Sequence, residues 1–296
     1  MSIDIIIPAY NEEENIKNLF FEIKRELKNL NHNIIFIDDG STDNTFVEMK
    51  KIATKNKDVK VISFTRNFGK DAAIYAGLKY SRSKYVSIID ADLQQNPKYI
   101  KEMHDFLENN QEYDLVTMVN DYSEAKFLQR ILKRCFYKLM AKNTGQSYEI
   151  GASDFRLMRR NVVTSMLKTK EKNRFTKGLF SYLGFKQYYI TYIPDKRNAG
   201  KSKFNLINQI KYALKGIISF SVLPLAKIAA FGIVMSILVL VTVIFTKNIQ
   251  FSICLIILLF IILFIYLWLF TMYLNKIYSE INGRLPYVIK DKINIR

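Results

Sequence analysis

The stretch Ile88-Ile-Asp-Ala-Asp-Leu-Gln-Gln-Asn-Pro97 decides the fold class of this chain. The apolar, β-branched run at residues 85–89 predicts a short buried strand that leads directly into two carboxylates, Asp90 and Asp92. Pro97 suits the first turn of a following helix. Two carboxylates at the end of a buried strand need a cation or a solvated cleft, because an apolar core cannot compensate their charge. Oxygen ligands of this kind bind Mg²⁺ or Mn²⁺, which also bridge phosphate oxygens. The alternative is a strand end with two solvated acids.

The residues around this stretch alternate short apolar runs with amphipathic segments. Strands are predicted at residues 3–7, 34–37, 59–64, 85–89 and 115–119, and helices at 13–30, 45–55, 72–80 and 98–108. This alternation predicts an α/β domain with a doubly wound, mostly parallel sheet. Ligands of such sheets bind at the carboxyl ends of the strands. We therefore expect the polar motifs that follow the strands to lie along one edge.

Polar motifs follow the first three predicted strands. They read Pro8-Ala-Tyr-Asn-Glu-Glu13, Asp38-Asp-Gly-Ser-Thr-Asp43 and Thr65-Arg-Asn-Phe-Gly-Lys-Asp71. Tyr10 can stack on a nucleobase, Glu12 can accept a hydrogen bond from a ribose hydroxyl, and Asp39 can accept one from a base N–H. The third motif opens a helix with a basic, glycine-containing loop, which can hold an anion. The patterns G-x-x-x-x-G-K-[ST] and G-x-G-x-x-G are absent, which argues against a P-loop and a typical dinucleotide fold.

Together with Asp90-Ala-Asp-Leu-Gln94, these motifs resemble the inverting family-2 glycosyltransferases with the GT-A (Rossmann-like) fold. The resemblance is closest to the polyprenyl-phosphate hexosyltransferases, which include dolichyl-phosphate mannose synthase and bacterial undecaprenyl-phosphate glucosyltransferases, and it covers almost the whole chain. It implies that Asp90, Asp92 and Gln94 surround a Mg²⁺ or Mn²⁺ ion and the diphosphate. It also implies a nucleotide-sugar site formed by Pro8, Ala9, Tyr10, Glu12, Asp39, Lys70, Asp90 and Ala91.

The middle of the chain carries the predicted acceptor side. Apolar residues of the segment 126–142 fall on one helical face and its cations lie mainly off that face. This pattern predicts an amphipathic helix at about residues 124–142 that lies in a membrane interface; an ordinary helix packed on the sheet is the alternative. Many relatives carry an arginine shortly after the fifth strand, where this chain reads Val119-Asn-Asp121. Arg130 and Arg134 are the candidates for lipid-phosphate binding on the helix.

Two later segments also resemble family motifs. Gly151-Ala-Ser-Asp-Phe-Arg-Leu-Met158 resembles the segment whose aspartate lies beside the acceptor and is often assigned as the base. A phosphate monoester has a second pKa of about 6, so an acceptor lipid phosphate already offers an anionic oxygen. Asp154 can instead orient the acceptor, help to set the metal site or be a buried structural acid. Arg197-Asn-Ala-Gly-Lys-Ser-Lys203 resembles the family's phosphate-binding R-x-x-G-x-S-K loop. The predicted catalytic residues are Asp154, Asp92, Arg197 and Lys203, and the last two also face the lipid phosphate.

Two uncharged stretches near the C-terminal end predict membrane-spanning helices. Residues 228–246 and 251–274 are each long enough to cross a hydrocarbon core of about 30 Å. Only Lys247-Asn-Ile-Gln250 separates them, which predicts a helical hairpin. Lys and Arg are frequent on both outer flanks, so both termini are expected to be cytoplasmic. The predicted organisation is a cytosolic GT-A domain at 1–205, a juxtamembrane helix at 206–224, transmembrane helices at 225–275 and a cytoplasmic tail at 276–296.

The overall charge agrees with phosphate-rich partners. The chain has 44 Lys+Arg against 27 Asp+Glu, a formal net charge of +17. Such a balance indicates nucleic acid, an anionic membrane or phosphorylated substrates. Much of the excess lies near the predicted interfacial helix and the hairpin flanks, so no nucleic-acid partner is expected. Cys135 and Cys254 are far apart, as in a reducing compartment without a disulfide framework. No cleaved signal is predicted, because Met1-Ser-Ile-Asp-Ile lacks basic residues.

The patterns point to a membrane-anchored enzyme for phosphate-containing substrates, and the family resemblance implies the specific function. The chain is predicted to transfer a hexose, with inversion, from UDP-glucose to undecaprenyl phosphate at the bacterial inner membrane, for modification of a cell-envelope glycan. The alternatives are UDP-N-acetylglucosamine or GDP-mannose as donor, or a catalytically dead, membrane-anchored nucleotide-binding partner. A processive synthase would need a Q-x-x-R-W segment, but the sole tryptophan, Trp268, lies in the second hairpin helix. A homo-oligomer such as a tetramer, a separate flippase and a downstream glycosyltransferase are the expected partners.

Overall fold

A computed structural model gives the fold of residues 2–121, 149, 151–169, 171, 174–195, 223–245 and 249–295. The strands are β1 (Ser2–Ala9), β2 (Asn31–Asp38), β3 (Val59–Phe64), β4 (Tyr85–Ile88), β5 (Leu115–Asn120), β6 (Ala152–Arg159), β7 (Gln187–Tyr192) and β8 (Ile289–Ile293). The helices are α1 (Glu13–Glu26), α2 (Thr45–Lys55), α3 (Lys70–Tyr80), α4 (Lys98–Asn109), α5 (Arg160–Lys168), α6 (Thr176–Tyr182), α7 (Leu223–Phe245) and α8 (Ile249–Ile281). The predicted interfacial helix lies outside the described residues, as does the predicted juxtamembrane helix apart from its last two positions.

Within these residues the strands form one sheet in the order β7-β5-β6-β4-β1-β2-β3-β8. The four strands β4, β1, β2 and β3 are neighbours and run parallel. Their carboxyl ends therefore meet at one edge, as the alternation of strands and helices predicts. The polar motifs that follow these four strands all begin at that edge.

Apolar residues on alternate sides of the strands create two cores. Ile3, Ile5 and Ile7 of β1 belong to a core covered by α1, α2 and α4, whereas Ile6 of β1 belongs to a core covered by α3, α5 and α6. This arrangement follows from the two-residue period of a strand, which sends successive side chains to opposite faces. The near-continuous apolar sequence of β1 is thus that of a central strand buried on both faces. The predicted doubly wound α/β class is confirmed.

Strand β6 was not predicted and enters the sheet antiparallel to both of its neighbours, β4 and β5. Its register with β4 pairs Ile88 with Arg156. Two residues further along the same register, Asp154 of β6 stands opposite Asp90, which follows β4. The insertion of β6 therefore brings Asp154 to the end of β4, next to the turn that contains Asp90 and Asp92.

Helices α7 and α8 follow one another and form the predicted hairpin. Both are long and apolar enough to cross a membrane, over Leu225–Val243 and Gln250–Ile281. Most of their large apolar side chains are exposed, Phe245 and Phe264 among them. Exposed apolar surface of this extent is typical of helices that face lipid. The chain is therefore associated with a membrane through these two helices.

The segment predicted as a cytoplasmic tail returns to the sheet. Helix α8 continues to Ile281, and strand β8 then pairs antiparallel with β3 and forms one edge of the sheet. The part of the chain that follows the hairpin therefore contributes a strand to the same sheet as the N-terminal strands.

Helix α3 approaches β1 so closely that only glycine fits at Gly77. A Cβ atom at this position would lie 2.3 Å from Cγ2 of Ile6, a β-branched residue at the centre of the sheet. We expect Gly77→Ala to lower the stability by about 1–3 kcal/mol through overpacking. The measurement is the midpoint of thermal unfolding in detergent. Gly232→Ala is the control, because its Cβ would lie 3.6 Å from Ile262; equal midpoints for both variants would contradict the prediction.

Candidate active site

The loops after β1 and β2 hold each other through hydrogen bonds between backbone and side chains. The Asn11 N–H donates to Oγ of Ser41 at 3.0 Å, and the Glu12 N–H donates to Oγ1 of Thr45 at 2.8 Å. The Glu12 carboxylate accepts from the amide of Asn15 at 2.7 Å. This network fixes the motif that includes the predicted nucleotide-binding residues. Of these, Pro8 and Ala9 are buried at the end of β1 and Tyr10 is half-buried.

Asp39 joins the loops after β1, β2 and β3. Its N–H donates to the Ala9 carbonyl at 2.9 Å, and its two carboxylate oxygens accept from the N–H groups of Phe68 and Gly69 at 2.7 and 2.9 Å. Burial raises the pKa of Asp39 to about 6, although the two backbone donors favour its ionised form. The neighbouring Gly40 has φ +66, and a Cβ there would lie 2.3 Å from the Arg66 backbone. Asp39 thus fixes the basic loop to the rest of the edge.

The amine of Lys70 lies between two carboxylates from different strands. Its Nζ is 2.6 Å from Oδ1 of Asp90 and 2.8 Å from Oδ2 of Asp154. Lys70 is the first residue of α3, immediately after the loop that Asp39 holds. The structure therefore brings three of the predicted site residues together, one from each of three separate motifs.

Two acids after β4 are held by their own turn. The amide of Gln95, which is 5% exposed, accepts from the Asp90 N–H at 2.9 Å and donates to Asp90 Oδ2 at 3.1 Å. Oδ1 of Asp92 accepts from the Gln94 N–H at 3.2 Å. Leu93 has φ 61, a left-handed backbone conformation that is rare for a bulky residue and often occurs at functional sites. Ala91 is buried within this turn.

Asp154 is surrounded by cations. Burial alone would raise the pKa of its carboxyl, but Lys70, Lys177 and Arg156 together hold that pKa well below its usual range. Arg156 is 2% exposed, donates to the Ser153 carbonyl at 2.6 Å, and its guanidinium lies 4.0 Å from the centre of the Phe180 ring. Asp154 is therefore an ionised carboxylate at neutral pH.

The donor groups at the end of β4 fit a hard divalent cation. Asp90 and Asp92 offer carboxylate oxygens, and Gln95 orients the first of them. Among the described residues no three His, Cys, Asp or Glu side chains cluster around one point. One or two carboxylates completed by substrate phosphates form a ligand set typical of Mg²⁺ in nucleotide sites. The predicted third ligand, Gln94, contributes backbone contacts here: its carbonyl accepts from the Asp195 N–H at 3.0 Å.

Several predicted residues fall outside the described part of the chain. These are Arg130, Arg134, Arg197 and Lys203. Asp195, two positions before Arg197 in the sequence, is described and bonds to Gln94 in the acidic turn. The chain just before the predicted phosphate-binding loop is thus bonded to the acidic turn at Gln94.

Three residues of the site escaped the sequence analysis. Gln95 holds Asp90, and Arg156 and Lys177 compensate the charge of Asp154. Arg156 lies two positions after Asp154, so the alternation of a strand would have placed both side chains on one face. Gln95 could have been found only with the turn geometry in hand.

A comparison with known protein families identifies the family of this chain. The sequence profile of glycosyl transferase family 2 matches residues 4–167, which include all the motifs at this edge except the segments after α5. The chain belongs to glycosyl transferase family 2. It is a glycosyltransferase, and the resemblance inferred from its motifs is confirmed.

Curated relatives extend this family-2 likeness over the membrane hairpin. The bactoprenol glucosyl transferase of Shigella phage SfII is 33% identical over 303 residues, which cover 98% of each chain. The putative glycosyltransferase CsbB of Bacillus subtilis is 38% identical over 247 residues, which cover 82% of this chain and 74% of that protein. Among solved structures, glucosyl-3-phosphoglycerate synthase of Mycobacterium tuberculosis, in complex with Mn²⁺, uridine diphosphate and its product, is 20% identical. It aligns over 73% of this chain and 77% of its own with a TM-score of 0.50, a likeness of fold.

The raised pKa of Asp39 predicts a pH-dependent stability. The native carboxyl binds its proton more tightly than the unfolded one, whose pKa is about 3.9. The free energy of unfolding should therefore fall as pH rises from about 4 to about 6, by up to about 3 kcal/mol, and then level off. Asp39→Asn should reduce this change, as measured by denaturant unfolding in detergent across the interval. Asp105→Asn, at an exposed carboxylate, is the control; a wild-type pH profile in Asp39→Asn would contradict the prediction.

Proposed function

We propose that this family-2 glycosyltransferase moves glucose from UDP-glucose to a polyprenyl phosphate, foremost undecaprenyl phosphate, and inverts the anomeric configuration. The observation that carries the proposal is the link from donor-side Asp90 through Lys70 to acceptor-side Asp154 at 2.6 and 2.8 Å. The likeness over 98% of its length to a protein named bactoprenol glucosyl transferase supports the choice of sugar and acceptor.

The donor lies across the loops after β1, β2 and β4 in this proposal. Tyr10 stacks on the base, Glu12 accepts from the ribose, and Asp39 accepts from a base N–H with the lone pairs left beside its backbone contacts. Asp90 and Asp92 would hold the divalent cation. When bound, Mg²⁺ or Mn²⁺ neutralises charge on the leaving nucleoside diphosphate.

The acceptor attacks with an oxygen that is already anionic. This oxygen forms a bond to the anomeric carbon while the bond from that carbon to the diphosphate oxygen breaks, and the nucleoside diphosphate leaves with the electron pair. No proton has to be removed, because the second pKa of a phosphate monoester is about 6. The cations around Asp154 hold its pKa well below the usual range, so the carboxylate is a weak base and serves to orient these cations and the acceptor.

Cationic side chains balance the charge that collects at the site. In this proposal Lys70, which contacts Asp90, also meets the diphosphate, and Arg197 and Lys203 follow the segment that bonds to the acidic turn through Asp195. Preorganised cations of this kind usually supply a large electrostatic contribution to catalysis. Arg130 and Arg134 on the predicted interfacial helix would guide the lipid phosphate from the membrane side.

The membrane hairpin keeps the catalytic domain at the membrane that contains the lipid acceptor. Helices α7 and α8 anchor the catalytic domain to the bacterial inner membrane, with the domain and both termini in the cytoplasm, as the distribution of basic flanks indicates. The lipid-linked sugar formed there would need a separate flippase and a downstream glycosyltransferase. A homo-oligomer, with four copies as one candidate, completes the proposal.

The metal assignment is tested at Asp92. We expect Asp92→Ala to lower transfer by at least about 100-fold, because the cation that neutralises the leaving group loses a ligand. Transfer of labelled sugar to lipid in detergent micelles gives the rate, and membrane extraction and thermal unfolding show that the variant is folded and anchored. Asp105→Ala is the exposed control. A rate near that of the wild type in Asp92→Ala would refute the metal assignment.

The sugar and the acceptor are tested together with a panel of donors. Membranes that contain the protein are incubated with undecaprenyl phosphate and labelled UDP-glucose, UDP-N-acetylglucosamine or GDP-mannose, and the lipid product is identified by mass spectrometry. UDP-glucose is expected to give at least about a tenfold higher rate than either competitor, as differential transition-state binding allows. Transfer from a different donor would replace glucose in the proposal, and binding without any transfer would favour the catalytically dead partner.

A further inference from the structure

The chain after α8 forms a return segment, residues 287–294, that packs on the strand leading into the active-site loop. Strand β8 pairs with β3 from Val61, opposite Ile293, to Phe64, opposite Ile289. The Thr65 N–H then donates to the Val288 carbonyl at 3.0 Å. The return segment therefore covers the edge of β3 up to the first residue of the loop.

Hydrogen bonds also hold the C-terminal end of the return segment to the rest of the domain. The side-chain amide of Asn294, a residue with φ 57, donates to the carbonyls of Ala53 and Val59 at 2.8 Å each and to that of Asn56 at 3.2 Å. These carbonyls lie at the end of α2 and the start of β3. One side chain thus joins the return segment to the connection that begins β3.

Tyr287 contacts the chain on both sides of the active-site loop. Its ring stacks on Phe64, the last residue of β3, with centres 4.9 Å apart and planes 10° from parallel. It also meets Tyr75 of α3 edge-on at 6.2 Å. The residues between these two contacts are the loop 65–69 and the first turn of α3, which begins with Lys70. Tyr287 is 9% exposed, so its ring fills the space between β3 and α3.

The aromatic contacts continue in both directions from Tyr287. Phe64 meets Phe68 edge-on at 5.8 Å, and the guanidinium of Arg66 lies 4.0 Å from the centre of the Phe68 ring. On the other side the guanidinium of Arg174, a residue 5% exposed, lies 3.8 Å from the centre of the Tyr75 ring. A row of contacts therefore runs from the loop, through the return segment, to the segment before α6. Aromatic pairs of this geometry contribute beyond their buried area.

Phe68 connects this row to the catalytic groups. Its N–H, with that of Gly69, donates to the Asp39 carboxylate, and the next residue is Lys70. The ammonium of Lys70 must reach Asp90 and Asp154 at once, at 2.6 and 2.8 Å. A small shift of the loop or of the first turn of α3 would break one of these two contacts.

We propose that Tyr287 of the return segment is a positioning residue for Lys70. Through its contacts with Phe64 and Tyr75, the part of the chain that follows the membrane hairpin sets the place of the ammonium between Asp90 and Asp154. The membrane anchor is thus joined to the active site by packing as well as by the covalent chain. The kinetic test rests on the proposed transfer reaction, whereas the exchange test below does not depend on it.

The first experiment measures amide hydrogen exchange in the full-length protein in detergent micelles. Tyr287→Ala should speed exchange of the Phe68 and Gly69 amides by about tenfold or more, because Phe64 before the loop and Tyr75 after it lose the ring packed between them. Tyr287→Phe keeps the stacked ring and should keep wild-type protection. Tyr188→Ala is the control for loss of a stacked ring: its ring lies 4.0 Å from that of Phe106 on the opposite edge of the sheet, although it is 39% exposed against 9% for Tyr287. Unchanged protection of both amides in Tyr287→Ala would overturn the proposal.

The second experiment asks whether Tyr287 acts through Lys70. Tyr287→Ala should lower kcat for glucose transfer from UDP-glucose by about 10- to 100-fold, whereas Tyr287→Phe and Tyr188→Ala should stay within about twofold of the wild type. In a Lys70→Met background Tyr287→Ala should cause little further loss, because coupled residues are not additive. The same cycle is measured on UDP-glucose affinity, which needs no turnover. Equal losses from Tyr287→Ala in both backgrounds would overturn the proposal.

The two experiments separate this inference from the proposed function. A wild-type protein that transfers no glucose would count against the proposed function, while faster exchange of Phe68 and Gly69 in Tyr287→Ala alone would still support the positioning role. A wild-type protein that transfers glucose, with Tyr287→Ala as active as Tyr188→Ala, would leave the function in place and reject the role of Tyr287.

Discussion

The site depends on one ammonium that two carboxylates share. Asp90 and Asp154 come from antiparallel neighbours in the sheet, and two unscreened negative charges so close together would repel strongly at the low dielectric of a partly buried edge. Lys70 turns this repulsion into a link across the site. Strand β6 brings one acid to the edge, Gln95 orients the other, and Asp39 fixes the loop that precedes the cation. Each of these three features positions one of the groups that meet in that contact.

The distribution of charge explains why the acids can have different tasks. Asp154 is balanced by Lys70, Lys177 and Arg156, so it remains ionised without attracting a further cation. Asp90 and Asp92 lie in a turn whose amide contacts orient them toward the edge. The proposed function assigns these two environments to different tasks: Asp90 and Asp92 are the metal ligands, and Asp154, whose charge is compensated by cations, faces the anionic acceptor. In the proposed function a lipid phosphate approaches Asp154, and the cations around that residue outnumber its single negative charge.

The sequence predicted what local pattern determines and missed what depends on distant partners. Alternating apolar runs predicted the first five strands along the chain, and the parallel arrangement of β4, β1, β2 and β3 brings the polar ends of these four together. Strand β6 contains a buried Asp and a buried Arg, so its composition resembles that of a loop. The two charges can be buried only because they compensate each other in the folded protein. Strand β8 is five residues long, with three charged residues at its centre, and is a strand only because the edge of β3 is available. Gln95 holds Asp90 only because the turn after β4 brings its side-chain amide back to that residue.

The position of β8 in the chain constrains how the protein is made. The outer edge of β3 has no strand beside it until the residues that follow both hydrophobic helices have been synthesised. An open edge of this kind can pair with the wrong chain and lead to aggregation. The sheet can therefore be completed only after both hydrophobic helices have been synthesised, and until then the edge of β3 is open to such pairing.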